Sequence, residues 1–416
     1  MPDLFFKAAG AVCLVAILFG IASPAQAQEP APPPKPPTTV DASRGGVTIS
    51  SGANSLTIGA RIQFRWTLDD REESSTDTTG AGVGTEDGPI SQFDIPRMRV
   101  SFTGGAFRPW LRYAFQFDFS RTGGESASKI KDALIEIRPV GRNYRVSAGQ
   151  FKAPFGLQQL TSSGRLQFVD RAITDAKFNP TRDMGVMLSG TLAARKAGYD
   201  AGVFNGSGES VRQNNQSHLW AGRVYLQPLD ASSLSEGSVD AESKPWLHLG
   251  LGARSGKQIR GQTTAGVVED ADNQTAVNAE FAVKTARIFS TAEYFWMTDA
   301  QDNPLDARDI TSRGFHAQAA YMVMPKRAEV GLLLARITPD TGVDDAEVSE
   351  MRGVFGYYWH AHSLKLQADV GRLGYGANFG ALPSRARQGL PSQGPRLVSG
   401  RSLTDTQIRV QLQLAF

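Results

Sequence analysis

Cysteine is almost absent from this 416-residue chain, and the single one, Cys13, lies near its start. A lone thiol makes no internal disulfide, so the fold must hold without bridges. Long apolar runs are missing too. The one candidate, Ala8 to Ile21, is roughly 14 residues, short for a membrane-spanning helix. Lys7 before it and Ser23-Pro24-Ala25-Gln26-Ala27 after it predict a secretory signal cleaved after Ala27. Residues 1–27 are thus read as a signal peptide, and the exported chain as free of cysteine. More apolar residues follow Cys13, so it fits no lipoprotein attachment site.

Histidine is also scarce. His218, His248, His316, His360 and His362 show no metal-type clustering and have no cysteine nearby. His360 and His362 fall in an expected turn, where such a pair is read as solvated. No Gly-x-Ser-x-Gly elbow occurs, and Gly206-Ser207-Gly208 after Asn205 reads as a flexible turn. No catalytic residue, metal or cofactor is therefore expected, and the chain is not read as an enzyme. Net charge is small as well, with 44 Lys and Arg against 41 Asp and Glu. No nucleic-acid partner is expected, and any electrostatic argument must come from where the charges sit.

What the chain has is alternation. From Phe416 backwards, Leu414, Leu412, Val410 and Ile408 are separated by Ala415, Gln413, Gln411 and Arg409. Period two describes a strand with one apolar and one wet face. About sixteen such segments recur. The first sets Leu56, Ile58, Ala60, Ile62, Phe64 and Trp66 against Thr57, Gly59, Arg61, Gln63 and Arg65. The second spans 97–102 and the third 111–120, followed by 131–138, 143–151, 184–190, 197–204, 218–227, 246–254, 277–284, 286–296, 313–322, 327–336, 349–359, 363–371 and 405–416. Leu134 and Leu333 break the pattern by falling on the polar phase.

With no spanning helix, a membrane location requires a closed sheet, because only helices and barrels satisfy every backbone group in lipid. Connection lengths agree with that. Long stretches at 67–95, 121–129, 152–183 and 373–403 alternate with short ones at 104–108, 139–142, 193–196, 324–326 and 360–362. This rhythm predicts an all-β, transmembrane antiparallel β-barrel of about 16 strands, with long extracellular loops and short periplasmic turns. Pro228 to Pro245 is an inner connection longer than the rhythm allows. Trp66, Trp220 and Trp296 fall at outer strand ends and Trp110, Trp246 and Trp359 at periplasmic ends, as interfacial aromatics do, with Trp110 and Trp246 in the inward phase. Residues 28–53, with Pro30, Pro32, Pro33, Pro34, Pro36 and Pro37, read as an extended periplasmic tail, and 54–416 as the barrel domain.

The run Gly149-Gln150-Phe151-Lys152-Ala153-Pro154-Phe155-Gly156, then Leu160-Thr161-Ser162-Ser163, Phe168-Val169-Asp170-Arg171, Arg182-Asp183-Met184-Gly185 and Gly202-Val203-Phe204-Asn205-Gly206 resembles the signature of the phosphate-selective porin O and P family. The resemblance is dense over about 140–226. It implies a sixteen-stranded outer-membrane barrel, usually a homotrimer, whose third outer loop, here Lys152 to Asp183, folds inward and narrows the pore. It further implies a Gram-negative outer membrane, contact with its lipids, and handling by the barrel assembly machinery, which would read the C-terminal strand ending in Phe416.

The polar phase carries Arg61, Arg65, Arg97, Arg99, Arg112 and Arg409 on strands that become neighbours once a barrel closes, and further along Arg138, Arg145, Arg223, Lys284, Arg287, Arg352 and Lys365. An Arg or Lys on the lipid face would cost roughly 2–4 kcal/mol near the midplane, so this phase is expected to face a wet lumen. The same phase carries Asp118, Asp132, Glu136, Asp200, Glu280, Glu293, Glu329, Glu350 and Asp369. Two readings follow: a pathway for small inorganic anions such as phosphate, or ordinary solvation balanced by carboxylates. The loop adds Lys152, Arg165, Arg171, Lys177 and Arg182, which either meet an anion or pin the loop, Arg171 and Arg182 through Asp170 and Asp183. The expected function is passive diffusion of small anions through a water-filled channel. The alternatives are a general porin without phosphate preference, or a structural or adhesive barrel.

Overall fold

The computed structural model describes residues 36–43, 45–72, 89–120, 129–210, 217–229, 234–239, 245–259, 271–300, 308–391 and 400–416. The predicted signal peptide, Cys13, residues 28–35 of the tail, and the middles of the connections 67–95, 121–129, 228–245 and 373–403 lie outside the described residues. Two short strands come first, β1 (Thr39–Asp41) and β2 (Val47–Ser51). They occupy part of the interval expected to be an extended tail.

Sixteen longer strands follow: β3 (Asn54–Arg71), β4 (Ile90–Gly105), β5 (Leu111–Asp118), β6 (Lys129–Ile137), β7 (Tyr144–Lys152), β8 (Arg182–Leu192), β9 (Ala197–Phe204), β10 (Leu219–Leu226), β11 (Trp246–Ile259), β12 (Ala271–Lys284), β13 (Ile288–Ala300), β14 (Ile310–Met324), β15 (Ala328–Thr338), β16 (Val348–His360), β17 (Leu364–Tyr375) and β18 (Leu403–Ala415). Each pairs antiparallel with the next, and β18 pairs with β3 from Asp405↔Arg71 to Ala415↔Arg61, which closes a sixteen-stranded barrel. Phe416 completes that seam by exchanging backbone hydrogen bonds with Ala60 at 2.9 and 3.0 Å. Below it, β2 takes over as the partner of β3, with Val47 opposite Ile58.

Side-chain orientation follows the alternation. On β3 Gln63, Arg65 and Thr67 are buried, whereas Ile62 and Phe64 are exposed. The same outer face carries Phe115, Leu251, Phe281, Phe315, Leu332, Phe355 and Leu412. Such a continuous apolar exterior is what a lipid environment accepts and water does not. Among the described residues no helix is long and apolar enough to cross a membrane. One register break was not legible in the sequence: Ile95 and Pro96 form a bulge on β4 between the pairs Gln63↔Arg97 and Arg65↔Asp94. Proline has no N–H to give the ladder, so a bulge is where it fits.

Part of the lumen is filled. After β7 the chain turns inward and forms two short helices, α1 (Leu157–Leu160) and α2 (Ile173–Phe178), before returning to β8. Gly156 starts the inward turn at φ 78, and a Cβ there would collide with the Asn179 side chain. Inward apolar residues of the wall receive this loop. Phe178 stacks on Phe295 of β13 with ring centroids 5.1 Å apart, and Phe168 packs with Leu333 and Val354. Leu333, an exception to the polar phase, is therefore a docking position. A further helix, α3 (Ser384–Arg387), lies in the last outer connection and reaches the loop through the Ala386 carbonyl, which accepts from Lys177 Nζ at 2.7 Å.

Candidate functional site

The inward loop is held by carboxylates of one half of the wall. Glu293 on β13 accepts the backbone N–H groups of Leu157 and Gln158, both at 2.7 Å. Glu329 on β15 accepts from Gln167 Nε2 at 2.9 Å, Glu350 on β16 from Ile173 N at 2.9 Å, and Asp369 on β17 from Val169 N at 3.2 Å. All four are buried. These groups were expected to oppose the lumen arginines; Glu350 and Asp369 do so, through Arg352 and Arg409, and all four also satisfy loop donors that burial would otherwise leave unpaired.

The loop also captures part of the expected basic wall. Asp170 meets Arg65 at 2.8 Å, Arg97 at 2.6 Å and Arg409 at 3.3 Å, and Arg409 also grips Asp369. Burial by itself would raise the Asp170 carboxyl, but Arg97, Arg65 and Arg409 outweigh it and hold it well below the usual carboxylate range. Arg61 donates to the hydroxyls of Ser162 and Ser163, and Arg99 to Ser163 and Asp118. Arg112 lies apart, exposed near the periplasmic turn opposite Gly105.

Loop cations fall into three groups. Lys152 Nζ donates to the carbonyls of Gln159, Leu160 and Thr161 at 2.5–3.2 Å, and Arg171 donates to those of Gln158, Gln159 and Thr161, so two cations close around the end of α1. Burial pulls the Arg171 guanidinium below its ordinary range. Lys177 is buried under α3, and Arg165 is exposed. Arg182 forms a two-pronged pair with Asp132 of β6 at 2.8 and 3.2 Å. The loop is pinned, but not as the sequence suggested: Asp170 is held by wall arginines, and Asp183 accepts backbone N–H groups of Met184 and Gly206.

Open space remains toward β4–β10. A central cavity of about 530 Å³ is lined by seven cationic side chains, Arg97, Arg99, Lys131, Arg145, Lys152, Arg171 and Arg182, and by four carboxylates, Asp132, Glu136, Asp175 and Glu209. An outer cavity of about 360 Å³ shares Arg97, Arg171 and Asp175 with it. An inner cavity, also about 360 Å³, shares Arg145, Lys152, Leu160 and Met187 and adds Arg195 and Arg223 against Asp200. Arg65 and Arg409 line none of the three. Lys131 was missed as a site residue because its spacing puts it on the apolar phase, and the register shift between Gln116↔Asp132 and Phe117↔Ile130 that breaks this phase is not legible in the sequence. Arg145 and Arg223 stood on the polar phase, but the loop's path alone shows that they face open space. Arg287, expected in the lumen, lies in a turn and donates to the outward Tyr321 hydroxyl at 3.2 Å.

The long inner connection also enters the barrel. Residues Ser235, Glu236, Ser238 and Val239 are buried, and Glu236 accepts from Gln167 N at 2.8 Å and Gln158 Nε2 at 3.1 Å. His362 is not solvated in its turn: its Nε2 lies 3.1 Å from Ser235 Oγ and 3.0 Å from the Glu236 carbonyl. Burial, then Lys365 and Lys284, pushes that imidazole well below its ordinary value. Trp246 faces inward as its phase implied, packed with Leu157, Ala282 and Phe289.

Porin structures share this barrel. An anion-selective porin from Comamonas acidovorans superposes with a TM-score of 0.56 at 12% identity, over 87% of this chain and 100% of that one. The outer membrane channel DcaP of Acinetobacter baumannii gives 0.54 at 12% identity, over 88% and 98%. A loop-deletion mutant of OmpT, an outer membrane protein of Vibrio cholerae, gives 0.54 at 9% identity, over 87% and 100%. No curated protein matches the sequence. At such identities the likeness establishes the fold. The sequence itself goes further, because the pattern of phosphate-selective porin O and P matches residues 57–332, from the first long strand into β15: the chain belongs to the phosphate-selective porin O and P family.

Proposed function

We propose that this outer-membrane porin passes small anions, phosphate or related oxyanions among them, by passive diffusion along the space between the inward loop and strands β4–β10. One observation carries the reading: the space that the loop leaves open is lined by more cations than carboxylates. Glu293, Glu329, Glu350 and Asp369 are covered by the loop, while the central cavity keeps seven cationic side chains against four carboxylates. A near-neutral chain thereby presents a positive field to the water it encloses. Arg97, Arg99, Lys152, Arg171 and Arg182 belong to the pathway on this reading, and Arg65, Arg409 and Lys177 act as loop anchors. Family membership supports a homotrimer inserted by the barrel assembly machinery after cleavage at Ala27.

Planar-bilayer reversal potentials across a potassium chloride gradient, then a potassium phosphate gradient, test the proposal. Anion preference in both is expected, and it should fall when Arg97 and Arg99 are neutralised. Cation preference in the unmodified protein would overturn it.

A further inference from the structure

Four residues line both the central and the inner cavity, and they mark the neck between them: Arg145, Lys152, Leu160 and Met187. Two cations belong at the neck of an anion path. Two apolar side chains do not follow from that chemistry. Met187 stands on the inward phase of β8, opposite Ser147 of β7 and Gly202 of β9, where a wet wall calls for a polar residue. Leu160 ends α1 and lines the same two cavities. Both are only partly buried, and Leu134 and Phe151 extend the same patch into the central cavity. The bases of Leu134 and Met187 pack on the buried cluster of Phe151 and Phe204. That packing anchors them without explaining the apolar surface they turn toward the pore, which serine would not expose.

The cations differ in what they can offer. Lys152 uses its ammonium on the three carbonyls at the end of α1, so it contributes charge rather than a contact. Arg145 holds Glu136 through Nε at 3.0 Å, and its side chain is 40% exposed. A guanidinium has five donors, so several remain to meet a carboxylate.

We propose that this neck selects amphipathic organic anions: a carboxylate on Arg145, in the field of Lys152, with an apolar body lying along Leu160 and Met187. This inference rests on the anion pathway proposed above. A hydrated inorganic oxyanion gains nothing from the apolar side of the neck, whereas a butyrate or benzoate does.

Permeability ratios from reversal potentials test it, measured for chloride, phosphate, acetate, butyrate and benzoate as potassium salts. Butyrate and benzoate are expected to exceed acetate despite their size. Met187→Ser should lower the benzoate-to-phosphate ratio about fivefold, the contribution of roughly one buried methylene's worth of apolar contact. Leu160→Ser, measured separately because it sits in the loop, should act in the same direction. Heat-modifiable gel mobility verifies that each variant is a folded barrel. Ratios that decline with size alone, or a benzoate-to-phosphate ratio that Met187→Ser leaves unchanged, overturn the inference. Loss of chloride preference over potassium in the unmodified protein is a different result, and it removes the pathway itself.

Discussion

Asp170 is the loop carboxylate that gathers three wall arginines, and Asp170→Asn is the sharpest single perturbation of that contact. The carboxylate meets three guanidinium groups within 3.3 Å and keeps 27% side-chain exposure. Removing one partner of a buried ion pair costs about 3–5 kcal/mol. Exposure to lumen water and the surviving Arg409–Asp369 pair reduce this, leaving about 2 kcal/mol, a roughly thirtyfold shift in any docked-to-undocked loop equilibrium. Barrel closure does not depend on Asp170, because β3 and β18 zip through backbone hydrogen bonds. The variant should therefore retain heat-modifiable mobility but show noisier single-channel current, and stronger anion preference because one negative charge has left the lumen. Asp170→Glu should show neither change to the same degree. The sign with pH is fixed as well. A carboxyl whose folded pKa is depressed contributes above its unfolded value, near about 3.9, and loses that contribution only as pH falls through the lower folded value. Titration of Asp170 should thus add no current noise between pH 8 and about pH 4. Quiet current with unchanged selectivity in Asp170→Asn would refute the assignment of Asp170 as the anchor.

Other outcomes follow from the same contacts. Lys152→Met removes a cavity cation and the clasp on α1, so reversal potentials should move toward cation preference and current noise should rise; no movement would count against a pathway role. Glu236→Ala deletes the acceptor of Gln167 N and Gln158 Nε2, at about 1–3 kcal/mol, and should raise conductance by freeing the inner segment. His362 is neutral and buried, with its folded pKa below the unfolded value, so the undocked form binds the proton more readily. Docking of residues 234–239 is therefore at full strength above about pH 6.5 and weakens as pH falls below it. Periplasmic-side acidification should increase hydrogen exchange in that segment, and His362→Gln should remove the pH dependence.

Strand number and orientation were legible because alternation is written locally: all sixteen expected segments overlap β3–β18. Ends were less so. β4 begins at Ile90, well before the segment read at 97–102, because Pro96 hides a strand that continues past its bulge. Residues 39–51 looked like tail because β1 and β2 are too short for period two to register. The anomalies proved informative. Leu333 receives Phe168, Leu134 faces the central cavity, and the overlong inner connection enters the lumen. Partner choice was not legible. That Asp170 meets Arg65, Arg97 and Arg409 depends on where a loop of thirty-odd residues crosses the barrel, which no spacing rule encodes.

The same limit explains why counting lumen charges misleads. Basic and acidic residues are interspersed along the polar phase from β3 to β18, and a tally of thirteen cations against nine carboxylates does not say which of them face open water. The loop resolves it physically. Its backbone N–H groups need acceptors once they leave water, and carboxylates are the strongest ones a wall can offer. Glu293, Glu350 and Asp369 provide them on β13, β16 and β17, so these carboxylates are covered by the loop, Glu350 with Arg352 and Asp369 with Arg409 beside them. Cations cannot accept from an N–H and donate instead to the loop's carbonyls, Lys152 and Arg171 at the end of α1, and Lys365 and Arg254 from the covered wall at Leu166 and Phe178. Which charges stay open to water is thus set by the hydrogen-bond demands of one inward segment rather than by their number.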